Sequence, residues 1–167
     1  MTRKPIKKME KPLFNLSVWQ AVIPLAAAVL LLGCSSQQGA PKFPVQGRVL
    51  VNGEPAGGMY IRFHALQSDL VGQDAQPVAI SDEDGGFELS SFSGGDGAAA
   101  ATYQVSFFWP VTPMVPSEDR LQGMFSNPKQ SGFKVTINAE STDLQAFELE
   151  IDKEKILPAM QMTLPTN

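Results

Sequence analysis

Two residue types with versatile chemistry occur once each in this sequence. Cys34 is the only cysteine and His64 the only histidine among 167 residues. A zinc peptidase site needs several nitrogen, sulfur or carboxylate ligands and an acid–base group, which one histidine cannot supply. A serine–histidine–acid triad could be assembled formally, but no serine lies in the Gly-x-Ser-x-Gly sequence that exposes such a nucleophile. The sequence therefore predicts that the chain is not an enzyme and carries no cofactor.

Cys34 follows a basic N-terminus and a short apolar segment. Arg3 and four lysines precede residues 21–32, which are apolar apart from Pro24. A positive segment, a short apolar segment and a small residue before the processing point are typical of a secretory signal peptide. The apolar run is shorter than the roughly 20 residues that span a bilayer.

The last residues of this segment, Leu31, Leu32, Gly33 and Cys34, resemble the lipobox of bacterial lipoproteins. The resemblance implies that signal peptidase II recognises the first three and cuts before Cys34, whose thiol is lipidated and whose new amine is acylated, palmitate being a typical acyl group. An uncleaved membrane anchor is the alternative. Either way we expect an exported protein held at a bacterial membrane, on the periplasmic or cell-surface side and in the outer membrane if enterobacterial sorting applies.

Four segments follow from this interpretation: a signal peptide (1–33), a lipidated cysteine with a flexible tether (34–44), a folded domain (45–152) and a C-terminal tail (153–167). The first 33 residues hold five of the 13 basic and one of the 17 acidic residues, which leaves 8 basic and 16 acidic residues and a net charge of −8. Such a balance argues against nucleic acid as a partner.

The folded domain shows the two-residue period of β-strands, without convincing helical spacing. We expect Asn52-Gly53 to form a tight hairpin turn and residues 82–86 to form a second one. Residues 103–109 are predicted to be the central strand. Seven short strands separated by turns predict an all-β, antiparallel β-sandwich. The positions expected to face inward are Val45, Val49, Val51, Met59, Ile61, Phe63, Val78, Ile80, Phe87, Leu89, Tyr103, Val105, Phe107, Trp109, Phe133, Val135, Ile137, Phe147, Leu149 and Ile151.

Residues 47–63, 81–87 and 103–107 resemble, in order and spacing, the opening hairpins and following strand of the carboxypeptidase regulatory-like domain. The resemblance implies a transthyretin-like (prealbumin-like) β-sandwich, and it extends to small bacterial lipoproteins in which such a domain follows a lipobox. Enzymes with a transthyretin-like fold use several histidines or an iron site with two tyrosines and two histidines. On the predicted strand, His64 should point to solvent.

The acidic turn offers a weak metal candidate. Asp82 and Asp84 are spaced like the first ligands of a calcium loop, but the twelfth position counted from Asp82 is Ser93 rather than a bidentate acid. We interpret the segment as a solvated turn and expect no metal site.

Residues 110–132 form the longest irregular stretch and contain four prolines and several apolar side chains. One interpretation is that this loop packs Leu121 and Phe125 over one open end of the sandwich. The other is a recognition loop in which Leu121, Met124 and Phe125 bind a partner, since long loops in compact domains are commonly functional.

These features predict a lipid-anchored exported module that binds another envelope protein or a glycan. A small-ligand or calcium-binding lipoprotein is the alternative, and a hydrolase is the more distant one.

Overall fold

Strands dominate the part of the chain that the computed structural model describes, which is residues 39–113, 116–140 and 143–160. The predicted signal peptide and Leu31, Leu32, Gly33 and Cys34 lie outside these residues. No helix among the described residues is long and apolar enough to cross a membrane. The elements are β1 (Lys42–Phe43), β2 (Gln46–Val51), β3 (Glu54–Pro55), β4 (Tyr60–Ala65), α1 (Gly72–Ala75), β5 (Val78–Ile80), β6 (Gly86–Glu88), β7 (Ala98–Ala99), β8 (Ala101–Phe108), β9 (Lys134–Ile137), β10 (Phe147–Leu149) and a 3-10 helix (Lys153–Lys155).

The strands form two four-stranded sheets and one two-stranded ribbon. Sheet I contains β10, β2 and β3 in that order, and β6 also pairs with β2. Sheet II has the order β5-β4-β8-β9, so β8 is an interior strand with partners on both sides, as predicted. Strands β1 and β7 form the ribbon. All pairs are antiparallel except β10 with β2, which is parallel and departs from the antiparallel prediction.

The described residues contain ten strand segments where the sequence predicted seven. Seven of the ten coincide with the predicted strands. The other three, β1, β3 and β7, have two residues each. Alternation could not reveal them, because a period of two is not visible in two residues.

The Asn52-Gly53 turn is confirmed, but the hairpin that it closes is much shorter than predicted. Asn52 and Gly53 have φ angles of 53° and 80°, the positive values that a type I′ turn requires. The turn pairs β2 with the two residues of β3 only. One further hydrogen bond continues the ladder, from the Ala56 N–H to the Val49 carbonyl oxygen over 3.3 Å, before Gly58, at φ 74°, redirects the chain. Strand β4 therefore joins sheet II rather than pairing with β2.

The second predicted hairpin is a corner between the sheets. The turn itself is present, since the Gly85 N–H donates to the Asp82 carbonyl oxygen over 3.0 Å. Its flanking strands separate, however: β5 pairs with β4 in sheet II and β6 pairs with β2 in sheet I. The register of β5 buries Ala79 and exposes Val78 and Ile80, contrary to the expected phase. Three consecutive apolar residues cannot indicate which face each takes.

One hydrophobic core joins the inner faces of sheets I and II. The Phe147 ring from sheet I lies 6.1 Å from the Phe63 ring and 5.4 Å from the Phe107 ring of sheet II, edge to face in both cases. Apart from the β5 positions, the predicted inward residues are buried or, for Trp109, Phe133 and Val135, partly buried against the core. Those that are buried are Val45, Val49, Val51, Met59, Ile61, Phe63, Phe87, Leu89, Tyr103, Val105, Phe107, Ile137, Phe147, Leu149 and Ile151.

The last residues of the predicted tether belong to the folded domain. Lys42 and Phe43 form β1 against Ala98 and Ala99. The Lys42 ammonium lies 3.1 Å from the Asp74 carboxylate, which also accepts the Ala40 N–H over 3.1 Å. This partly buried ion pair holds the segment in place. Residues 40–43 of the predicted tether (34–44) thus make contacts with the folded domain, and residues 34–38 lie outside the described residues.

Candidate ligand-binding groove

The outer face of sheet II carries the polar and aromatic side chains that alternate with the core residues. Tyr60, Arg62 and His64 point outward from β4, and Ser106 and Phe108 point outward from β8. The strand register sets Tyr60 opposite Phe108 and Arg62 opposite Ser106. The Tyr60 and Phe108 rings meet edge to face with their centroids 6.2 Å apart. Strand alternation thus collects a cation, an imidazole, a hydroxyl and two rings on one surface.

A proline-rich excursion, described at residues 110–113 and 116–119, covers part of this surface. Its two ends pair, because the Val111 N–H donates to the Glu118 carbonyl oxygen over 2.9 Å. Nearer the tip, the Thr112 N–H donates to Ser117 Oγ over 3.1 Å. Proline fixes φ near −65°, so Pro110, Pro113 and Pro116 restrict the conformations of the excursion.

The Asp119 carboxylate fastens the base of the excursion. Its Oδ1 accepts the N–H groups of Trp109, over 3.0 Å, and Leu121, over 3.1 Å, and its Oδ2 accepts that of Gly123 over 2.9 Å. Hydrogen bonds to a charged acceptor are stronger than those between neutral groups. Asp119 thereby joins the end of β8 to the turn that follows the excursion.

The residues after β10 brace the excursion from its other side. Arg120 donates from Nε to the Leu157 carbonyl oxygen over 2.9 Å. Its guanidinium carbon Cζ also lies over the Trp109 ring, 3.6 Å from the ring centroid. The Met160 N–H donates to the Val111 carbonyl oxygen over 2.8 Å. The first part of the predicted tail therefore packs on the domain. This packing was not predictable from the sequence, because the contacts of the tail are made largely through backbone groups.

Between the excursion and sheet II lies a groove of about 490 Å³, within the size range of small-molecule sites. Among the described residues that line it, none is acidic, and Arg62 and His64 are the only basic ones. Aromatic rings, prolines and hydroxyl groups make up most of the remaining lining. The lining residues are Tyr60, Arg62, His64, Ser106, Phe107, Phe108, Pro110, Thr112, Pro113, Pro116, Ser117 and Ser126.

His64 and Ser106 form a hydrogen-bonded pair in the groove. His64 Nε2 lies 2.8 Å from Ser106 Oγ. Burial, and secondarily the charge of Arg62, lower the pKa of His64 from 6.5, which favours the neutral form of the ring. His64 points outward as expected, but it is half-buried rather than fully in solvent. A neutral imidazole beside a hydroxyl can accept its proton, although no carboxylate among the described lining residues completes a triad.

Two of the three predicted partner-binding residues lie in the core. Leu121 is fully buried, and Phe125 is 9% exposed and packs beside Phe133 with ring centroids 6.2 Å apart. The Phe107 N–H donates to the Phe125 carbonyl oxygen over 2.9 Å, which aligns this stretch with β8. Leu121 and Phe125 thus match the packing interpretation. Met124 is 46% exposed and lies outside the groove, at a separate hollow with Glu148 and Glu150.

The weak metal candidates are engaged in the turn between β5 and β6. Asp82 Oδ1 accepts the N–H groups of Asp84, over 3.0 Å, and Gly86, over 2.7 Å. This is the arrangement by which an aspartate stabilises a turn. In the part of the chain that the structure describes, no three histidine, cysteine, aspartate or glutamate side chains are grouped as metal ligands.

The fold and the groove define the class: an all-β domain with a basic, partly aromatic groove on one sheet. Protein-family models give no match to the chain, and neither do curated proteins. Among solved structures, the crystal structure of (S)-allantoin synthase is similar, at 18% identity and a TM-score of 0.37. The alignment covers 81% of this chain and 49% of that protein, so the chain spans about half its length.

(S)-Allantoin synthase is an enzyme, which contradicts the prediction that this chain is not one. We withdraw that prediction. A TM-score of 0.37 carries no argument for any particular activity, so the chemistry of the groove rests on its own residues.

Proposed function

We propose that the chain is a lipid-anchored, exported domain that binds an envelope protein or glycan in the groove of sheet II. The groove carries the proposal, because it combines ligand-sized volume and exposed rings with, among its described lining residues, one arginine and no acidic residue. Tyr60 is 41% exposed, and the adjoining ring of Phe108 is partly exposed. Aromatic surface of this kind is enriched where proteins bind partners and ligands.

The anchor in this proposal is Cys34, placed by the lipobox resemblance behind a signal-peptide pattern. We assign the domain to the transthyretin-like β-sandwiches of the carboxypeptidase regulatory-like type, supported by two sheets that share one core and by the motif order within residues 47–107. The domain would face the periplasm or the cell surface. Tethering raises the effective concentration of the groove near envelope partners.

Labelling with palmitate in cells tests the anchor. The wild type should incorporate label and fractionate with membranes, and Cys34→Ala should do neither. A wild-type protein without label would show that the anchor assignment is wrong.

Crosslinking in cells tests the groove. A Tyr60→Ala, Phe108→Ala double variant removes the two rings without touching the buried core, so the fold and the anchor should persist. We expect the wild type to form a discrete crosslinked complex that this variant loses. The matched control is Val78→Ala, which removes an exposed side chain (41% exposed) at the edge of the same sheet. A complex that survives in the double variant would remove the groove from the proposal.

A second candidate function is acyl transfer, favoured by the 2.8 Å contact between His64 Nε2 and Ser106 Oγ. In such a step the Ser106 oxygen bonds to an ester carbonyl carbon, its proton passes to His64, and the alcohol leaves with that proton. A fluorophosphonate probe tests this, since serine attack forms an O–P bond and releases fluoride. Labelling at Ser106 that His64→Gln abolishes would support the activity. An unlabelled Ser106 would exclude a serine-nucleophile mechanism.

A further inference from the structure

The charge of the groove differs from the charge of the domain around it. After residue 33 the chain carries 16 acidic and 8 basic residues, yet no acidic residue is among the described residues lining the groove. Arg62 is exposed on the groove floor. Neither of the two ion pairs in the described part of the chain involves it; these join Lys42 to Asp74 and Lys155 to Asp152. The Arg62 guanidinium thus presents its donors to whatever enters.

The His64–Ser106 pair can adapt its hydrogen bonding to an incoming group. With the proton on His64 Nε2, the imidazole donates to Ser106 Oγ, and the Ser106 hydroxyl proton is free to point into the groove. With the proton on the other ring nitrogen, Ser106 donates to His64 instead. An acceptor bound beside Ser106 stabilises the first arrangement. The pair is therefore a neutral donor that complements the positive charge of Arg62.

We propose that the groove floor is a carboxylate subsite, in which Arg62 binds the carboxylate, Ser106 donates to it, and the Tyr60 and Phe108 rings contact an adjoining apolar group of the ligand. This inference rests on the proposed function only in that the groove is the binding site, and it names the chemical group that the groove binds. A planar guanidinium matches the two oxygens of a carboxylate, and the hydrogen bonds between them are charge-assisted. Two sources share this chemistry: a free aromatic acid and the C-terminal residue of a peptide.

Probe binding to the full-length chain, kept in solution with detergent and followed by NMR chemical shifts, tests the subsite. Benzoate represents the free acid and benzamide is its uncharged counterpart. N-acetylphenylalanine and its amide represent the peptide terminus. We expect at least one acid to bind about tenfold more tightly than its amide, with shifts at Tyr60, Arg62 and His64. The tighter acid identifies the source.

Matched variants separate charge from fold. Arg62→Gln should abolish the preference for acid over amide, and Arg62→Lys should restore part of it by keeping the charge without the planar fork. Arg48→Gln is the control, because Arg48 is also exposed on a strand but lies in sheet I. Acid and amide bound equally, a preference unchanged in Arg62→Gln, or no binding of either acid would overturn the carboxylate subsite. If the ring variant still loses its crosslinked complex in that case, the groove remains the binding site and only the ligand class is wrong.

Discussion

Replacing Leu121 by alanine measures whether the segment after the excursion is part of the core. Leu121 is fully buried in the common core, and its N–H is held by the Asp119 carboxylate over 3.1 Å. Removing three carbons costs about 2.4 kcal/mol at roughly 0.8 kcal/mol per buried CH₂. The cavity adds to this, because the fastened backbone cannot collapse into it. We expect a loss of about 3 kcal/mol in the free energy of unfolding.

Urea unfolding followed by far-UV circular dichroism checks this value. With a slope of about 2 kcal/mol per molar urea, 3 kcal/mol corresponds to a midpoint lower by about 1.5 M. Met124→Ala is the matched control, since this side chain is 46% exposed and its truncation should change stability by less than about 0.5 kcal/mol. Similar midpoints for the two variants, or a Leu121→Ala midpoint within about 0.3 M of wild type, would refute the packing argument.

Three further predictions follow from particular contacts. Gly97→Ala should destabilise the domain far more than Gly53→Ala. Both residues have positive φ, but an added Cβ at position 97 would meet the Phe43 carbonyl oxygen at 1.8 Å, whereas one at position 53 would face open space. Thermal melts compare the two variants, and equal melting temperatures would contradict the docking of β1. Burial, and secondarily Asp74, raise the pKa of Tyr103 to about 12, above its ordinary 10.0. Since the phenol ionises first in the unfolded chain, stability should fall as the pH rises from 10 towards 12. Tyr103→Phe, measured by denaturation across that range, should lack this loss. NMR titration should give His64 a pKa below 6.5, and stability should therefore fall as the pH drops below 6.5. In Arg62→Gln the pKa should rise without fully reaching 6.5, because burial remains. A pKa unchanged in that variant would show that Arg62 does not act on the ring.

The inward faces of the strands were predictable because alternation is local. Val49, Ile61 and Phe107 each have a polar residue next to them in the chain, so the two-residue period identifies which side of the strand is buried. The strand Val78–Ile80 lacked that contrast, and its phase was predicted wrongly. Turns such as Asn52-Gly53 were also predictable from the sequence, since few residue types adopt the positive φ that such turns require.

Strand partners were not predictable, because pairing depends on contacts distant in the chain. Strand β10 pairs with β2 in parallel about 100 residues away, and β4 pairs with β8 rather than with the neighbouring β2. The groove depends on the same information. His64 and Ser106 are 42 positions apart and meet only through the β4–β8 register. Alternation along each strand predicts that both side chains point outward. It does not predict that they lie close together or that the excursion covers them.

Photocrosslinking from a single groove position tests the central claim most directly. A benzoylphenylalanine at position 113, an exposed groove residue, is compared in living cells with the same probe at position 48, an exposed position on sheet I. Both variants keep Cys34. Binding in the groove predicts a discrete adduct from position 113 and none from position 48. Adducts of equal yield from both positions, or from position 48 alone, would contradict it.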